Sequence, residues 1–245
     1  MTYDTIGLGY NTKRHADPQI AARLAEALSH AKSILNVGAG TGSYEPAHHN
    51  LIAVEPSTVM LAQRPRNAAP AVQAVAEALP FLNAQFDAAM AVLTVHHWKN
   101  IPAGLDELRR VVSDKIIILT WDPECDEQFW LTRDYLPEIL AFDRVRFPTL
   151  ALLKRHLGPL RVEPLLTPAT CTDGFRCAYW KRPHAYLDPA VQKSISSFAQ
   201  ADPAIISRAM AELANDLDSG RWIERNGDLK AKEALDAGYR LIQTR

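Results

Sequence analysis

Three glycines at alternate positions, Gly38, Gly40 and Gly42, follow directly on the apolar run Ser33-Ile34-Leu35-Asn36-Val37. Glycine lets the backbone turn tightly and approach a ligand, and a turn of this kind between a strand and a helix is where open α/β sheets bind nucleotides. The next apolar run, Leu51-Ile52-Ala53-Val54, ends in Glu55. A carboxylate at that strand end offers two oxygens to the two vicinal hydroxyls of a ribose. Turn and acid together predict a nucleotide-like ligand. A plain tight turn beside a solvated strand end is the simpler explanation, and the coincidence of both features in one βαβ unit weighs against it. Further along, His96 and His97 follow one apolar run and Asp122 follows another. Histidine has the unperturbed pKa to move a proton near neutrality, so these three are the candidate acids or bases. Alternation along a strand would point the two rings to opposite sides, with only one facing a pocket.

These residues need a scaffold, and the hydrophobic pattern supplies one. Ile20, Leu24 and Leu28 stand four apart, one face of a helix that Asp17 caps and Pro18 opens. Strands are expected at 33–37, 51–55, 71–75, 87–95 and, most strongly, 115–121, with helices through Met60 and Leu61 before Pro65 and over 100–112. Apolar runs buried on both faces with helices between them predict a mostly parallel sheet. Beyond Trp121 come an amphipathic stretch over 126–140, a helix around 148–157, and two apparent strands at 160–166 and 174–180 that are expected to complete the sheet as an antiparallel pair. Helices are expected at 189–200 and 203–218. The chain thus reads as one domain over 1–245, with a core of about 18–182, an N-terminal cover over 1–17 and a C-terminal helical cap over 183–245.

The chain has 245 residues, 47% of them hydrophobic, and 27 basic against 28 acidic residues leave a net charge of −1. There is no large positive field to gather phosphate backbones or anionic lipid, which argues against nucleic acid and membrane as partners. No apolar run approaches the roughly 20 residues of a membrane span. Met1-Thr2-Tyr3-Asp4 has neither the basic region nor the apolar run of a leader, so a cytoplasmic location is expected. Cys125, Cys171 and Cys177 show no C-x-x-C spacing and read as free thiols.

The glycines are spaced G-x-G-x-G, whereas dinucleotide sites usually read G-x-G-x-x-G. With LNVGAGTGSY, AVEPS, AEALPF and FDAAMAVLTVHHW in that order, the stretch from 33 to 122 resembles the class I S-adenosylmethionine-dependent methyltransferases, within their methyltransferase type 11 group. The resemblance implies an α/β fold with a Rossmann-like seven-stranded sheet and helical additions at both termini. It implies S-adenosyl-L-methionine as cofactor and S-adenosyl-L-homocysteine as product; the residues themselves show no set of acids and no H-E-x-x-H spacing, so no metal is expected. Carried onto the matching positions, it sets Gly38, Gly40 and Gly42 along the methionine and ribose, Glu55 on the ribose hydroxyls, Ala76 and Glu77 against the adenine, and Leu93 near the methionine end. Tyr10 and Arg14, in a segment similar to one that folds over the cofactor in such enzymes, would meet its carboxylate. Two departures stand out: Val75 replaces an aspartate that meets the adenine amine in many relatives, and Ser113-Asp114-Lys115 replaces a proline-glycine-glycine turn.

Methyl transfer asks the enzyme for alignment and desolvation and, where the acceptor needs it, for a base; His96, His97 and Asp122 are the candidates. His96-His97-Trp98-Lys99 stands where base-amino methyltransferases carry (Asp/Asn)-Pro-Pro-(Tyr/Phe). A small organic acceptor is therefore expected, at oxygen, nitrogen or carbon; the resemblance implies a role in secondary metabolism, and a monomer or homodimer is expected. The polar loop over 170–175, with Asp173, and the neighbouring His184 either contact that acceptor or form a plain turn. Two further readings stay open: a non-catalytic sensor or scaffold that binds the cofactor, and an NAD(P)-dependent oxidoreductase. The second is disfavoured by the glycine spacing and the lack of a Tyr-x-x-x-Lys pair.

Overall fold

The structure, a computed structural model, describes residues 14–46, 50–125 and 129–244. Its centre is a seven-stranded sheet in the order β3-β2-β1-β4-β5-β9-β6, where β1 is Ser33–Val37, β2 Asn50–Val54, β3 Ala71–Val72, β4 Phe86–Val92, β5 Val112–Trp121, β6 Leu160–Pro164 and β9 Tyr239–Thr244. Strands β1 to β5 run parallel, and β9 lies antiparallel between β5 and β6. A separate two-stranded ribbon pairs β7, Thr167–Pro168, with β8, Ala234–Leu235.

Period-two alternation divides each central strand between two cores. On one side, Ile34, Met90, Ile117, Leu119 and Trp121 meet Ile20, Leu24 and Leu28 of helix α1, Pro18–Leu28. On the other, Leu35, Ala89, Ala91, Ile116 and Ile118 meet Leu105, Leu108 and Val111 of α3, Ile101–Val111, and Leu153 and Leu157 of α6, Leu150–Leu157. Asp17 caps α1 as its sequence predicts, its Oδ1 accepting from the N–H groups of Gln19 and Ile20 at 2.9 and 3.2 Å. A short α2, Thr58–Ala62, follows β2. The amphipathic stretch after β5 divides into α4, Trp130–Asp134, and α5, Pro137–Arg146, because Pro137 can open a helix but not continue one. Helices α7, Pro189–Ser194, α8, Ser196–Gln200, α9, Pro203–Asp218, and α10, Arg221–Asn226, follow.

Two expectations are corrected. Residues 174–180 form consecutive turns, with Ala178 N–H donating to the Phe175 carbonyl and Trp180 N–H to that of Cys177. Phe175, Arg176, Cys177 and Ala178 are buried in succession, which a strand with one face on a core does not allow. The partner of β6 is instead β9, so the region expected to be a helical cap returns a strand to the sheet, between β5 and the edge strand β6. Its alternation is masked by arginine and glutamine in YRLIQT.

Candidate active site

The carboxyl ends of β1, β2 and β4 open on a cavity of about 250 Å³, near the lower end of small-molecule sites at roughly 300–1,000 Å³. It lies where the strand order reverses around β1, the switch point at which open α/β sheets take ligands. Gly38 and Gly40 line it with φ of +71° and +54°. A Cβ on Gly38 would sit 1.9 Å from Thr94 Oγ1, so the end of β4 closes against a backbone that only glycine can supply. Gly42 also has a positive φ, of +96°, but is not among the lining residues; it faces Arg64 and Glu45 behind the loop. Those two form a buried ion pair at 2.8 Å, and Glu45 also accepts from Asn36 Nδ2 at 3.2 Å, which fixes Asn36 in the cavity wall.

Glu55 is only 6% exposed. Its Oε2 accepts from Gly40 N–H at 2.8 Å and its Oε1 from Ser57 N–H at 2.9 Å. The two bonds orient the carboxylate along the cavity wall. Ala76 and Glu77 line the same cavity beside Ala74 and Val75, with Glu77 Oε1 held by Asn100 N–H at 2.9 Å. Trp98 completes that end, seated on Gly104, where a Cβ would lie 2.5 Å from its ring. Leu93 lines the opposite end with φ of +52°, a strained backbone for a leucine.

Arg14 closes the cavity near Leu93. Its Nε donates to Asp173 Oδ1 at 2.5 Å, and Tyr44 Oη donates to Asp173 Oδ2 at 2.8 Å while accepting from Asp17 N–H at 3.3 Å. Asp173, 1% exposed, therefore ties the entry to α1, the glycine loop and the turns over 174–180 into one buried network. Burial, with the Asp173 charge beside it, pushes the Tyr44 phenol well up, so Tyr44 stays protonated as a donor.

The sequence comparisons fit this geometry. The methyltransferase domain family matches residues 35–119. A protein of Anabaena variabilis, named as a methyltransferase from an antibiotic biosynthesis pathway, is 31% identical over 95% of this chain and 99% of its own, with a TM-score of 0.87. The chain belongs to the class I S-adenosylmethionine-dependent methyltransferases. Two more distant structures share the fold alone. Geranyl diphosphate C-methyltransferase of Streptomyces coelicolor, solved with Mg2+, geranyl diphosphate and S-adenosyl-L-homocysteine, is 12% identical over 92% of this chain and 75% of its own, with a TM-score of 0.50. The [4+2]-cyclase SpnF is 15% identical over 92% and 78%, with a TM-score of 0.51. The search of curated proteins gave no match.

In this methyltransferase the candidate bases do not converge as their strand-end positions suggest. His96 and His97 lie on a single 3₁₀ turn, Val95–His97, with ring centroids 3.9 Å apart rather than on opposite faces of a strand. The turn begins because β4 stops at Val92. His97 lines the cavity and its Nδ1 accepts from Arg146 Nη2 at 3.2 Å, which leaves the ring proton on Nε2. Burial, reinforced by the Arg146 charge, holds its pKa down to about 3. His96 stacks on Phe147 at 3.9 Å and is likewise held well below the usual range, first by burial. Asp122 lines neither the cavity nor its neighbour; its Oδ1 accepts from Glu124 N–H at 3.0 Å and its Oδ2 lies 4.0 Å from Arg240 Nε. A strand-end position alone does not aim a side chain, and here the tight turn after β5 takes the carboxylate. Tyr10 falls outside the described residues.

Sequence reasoning missed Asn36, Tyr44, Thr94 and Trp98 as site formers. A glycine in mid-helix at 104, costly in a helix without a packing reason, was the one signal for Trp98. Among the described residues no helix is long and apolar enough to cross a membrane, and no three His, Cys, Asp or Glu side chains are grouped to hold a metal ion.

Proposed function

We propose that the chain binds S-adenosyl-L-methionine in the strand-end cavity and transfers its methyl group to a small organic acceptor in secondary metabolism. The observation that carries the reading is the oriented Glu55 carboxylate facing a glycine-lined cavity. The residues present fit the cofactor: Gly38 and Gly40 give backbone clearance, Glu55 would accept from ribose hydroxyls, and Ala76, Glu77 and Trp98 line the cavity where an adenine would lie. The metabolic setting is supported by the 31% identical Anabaena protein.

When bound, the cofactor supplies a methyl carbon on a positively charged sulfur that departs as a neutral thioether with the bonding electron pair. The chain's own work is alignment and exclusion of water. Neither histidine serves as the base in this arrangement, since His97 Nδ1 is already occupied by Arg146 and both rings resist protonation. On this reading the acceptor brings a nucleophilic atom that needs no histidine base, and any proton it carries leaves to water after transfer.

Calorimetric titration of the protein with S-adenosyl-L-methionine, S-adenosyl-L-homocysteine and NADH tests the cofactor. Saturable binding of the first two and none of NADH is expected. Binding of NADH alone, or of none of the three, contradicts it.

A further inference from the structure

Asn36 puts an amide where the sheet otherwise carries apolar side chains. It stands on β1 between Leu35 and Val37, and its register neighbours, Ala53 of β2 and Met90 of β4, belong to the apolar core on the α1 side. A buried amide costs stability unless its polar atoms find partners. One end has a partner, since Nδ2 donates to Glu45 Oε1 at 3.2 Å. The other end, Oδ1, has none among the described residues, and the side chain, 2% exposed, lines the cavity.

We propose that Glu45 is a positioning residue for the cofactor: it holds the Asn36 amide by its Nδ2 end, and Oδ1 thereby faces the cavity as the acceptor for the α-ammonium of S-adenosyl-L-methionine. The proposal rests on the cavity being the cofactor site.

Glu45 decides the orientation because a carboxylate only accepts. Besides Asn36 Nδ2 it takes Arg64 Nη2 on Oε1 at 2.8 Å and on Oε2 at 3.0 Å, and Ala69 N–H on Oε2 at 3.2 Å. Turned over, the Asn36 amide would set its own oxygen against Oε1, two acceptors with no proton between them. Glu45 is itself fixed by Arg64, which also donates to the carbonyls of Gly40 at 3.3 Å and Ala69 at 2.9 Å. The two charged side chains are only 9% and 6% exposed, so the pair stays in place behind the glycine loop. Glu45 does not line the cavity, and its effect on a ligand therefore passes through Asn36.

The layout of the cavity selects the ligand group. The cofactor carries proton donors on its adenine amine, its ribose hydroxyls and its α-ammonium. Ala76, Glu77 and Trp98 line the cavity where the adenine would lie, and Glu55 stands at the end of β2 for the ribose. The ammonium is left for Asn36, and a charged donor makes the stronger bond to an amide oxygen.

Calorimetric titration with three probes tests this: S-adenosyl-L-homocysteine, its desamino analogue with hydrogen in place of the α-ammonium, and 5′-methylthioadenosine, which lacks the amino-acid moiety. The parent should bind S-adenosyl-L-homocysteine at least about tenfold more tightly than the desamino analogue. In Glu45→Gln, Ala69 N–H still requires an oxygen, so the new NH2 group faces Asn36 and turns its amide over. S-adenosyl-L-homocysteine should then weaken by about tenfold or more, while the other two probes stay within about threefold of the parent. Asn36→Leu, close in volume and without an acceptor, should lose the same preference, and adding Glu45→Gln to it should cost little more. A purely structural role for Glu45 would weaken all three probes alike, and that result overturns the proposal. So does a parent without the preference for the ammonium, or a folded variant of either residue that keeps it. The urea transition reports folding; where Glu45→Gln does not fold, Asn36→Leu, which leaves the Glu45–Arg64 pair intact, carries the same test. A parent that binds none of the probes sinks the cofactor reading and this proposal with it, whereas binding without the preference sinks this proposal alone.

Discussion

Apart from Arg14, the cofactor cavity takes every lining residue from positions 36–99, whereas a smaller, arginine-lined pocket beside it gathers residues from 14, 93–96, 143–147, 175–176, 195–197 and 239. The first is built by local rules: a strand ends, glycines turn, the next strand ends in an acid. The second exists only after α5, the turns over 174–180, α8 and β9 have packed together. Their chemistry differs accordingly. The cavity presents backbone and one oriented carboxylate, suited to a ligand that many sequences can bind in the same way. The pocket presents arginines and aromatic rings. The walls of the first are thus written in contiguous sequence and those of the second in tertiary structure.

The boundary between the two regions is the most sensitive place to break this division. Asp173→Ala removes the carboxylate that Arg14 and Tyr44 share. Breaking a buried ion pair costs about 3–5 kcal/mol, so a large drop in the urea unfolding midpoint is expected, together with weakened cofactor binding. A variant as stable as the parent would show that the network does not join them.

Gly38→Ala should act on the cavity alone. The added Cβ would meet Thr94 Oγ1, and an alanine at φ +71° is strained. A loss of about 1–3 kcal/mol in stability is expected, with cofactor binding falling further than stability does. Retained cofactor affinity in a folded protein would mean that Thr94 yields and the loop does not shape the site.

The two histidines allow a test by pH. Both are held below their ordinary pKa in the folded chain. Below about pH 6.5 the unfolded chain binds protons that the folded chain refuses, so stability should fall as pH falls. Between pH 6.5 and 5, above the usual carboxylate range, the urea midpoint should decline, and the decline should be shallower in His97→Gln. A midpoint that does not move over that interval would contradict the neutral, buried state of the rings.

The smallest effect is expected at Asp122. Because it lines neither pocket, and because asparagine keeps the oxygen that accepts from Glu124 N–H, Asp122→Asn should leave methyl-transfer rates within about twofold of the parent. A rate loss of a hundredfold would return it to the active site.

What was legible in the sequence follows the same division. The G-x-G-x-G turn, Glu55 and the runs around β1 to β5 could be read because glycine conformation and a continuous apolar run are local properties. Strand β9 could not, since its apolar positions are interrupted by arginine and glutamine and its partners lie far away in sequence. The stretch over 174–180 misled for the opposite reason: it is rich in aromatic residues, and they enter the core through turns. His96 and His97 were found by residue type, but the burial that chiefly suppresses their basicity, and the charges of Arg146 and Arg176 that add to it, arise only once distant segments pack around their turn. Arg146 and Arg176 gave no signal, because nothing in local spacing tells a buried arginine from a solvated one.

The central claim is that the β2 strand-end acid holds the cofactor. Its most direct test is the calorimetric dissociation constant of S-adenosyl-L-homocysteine for the parent and for Glu55→Ala. Two hydrogen bonds to a charged group, each worth roughly 1.5–3 kcal/mol, predict a loss of about a hundredfold or more. An unchanged dissociation constant in a folded Glu55→Ala protein would place the cofactor elsewhere and contradict the account.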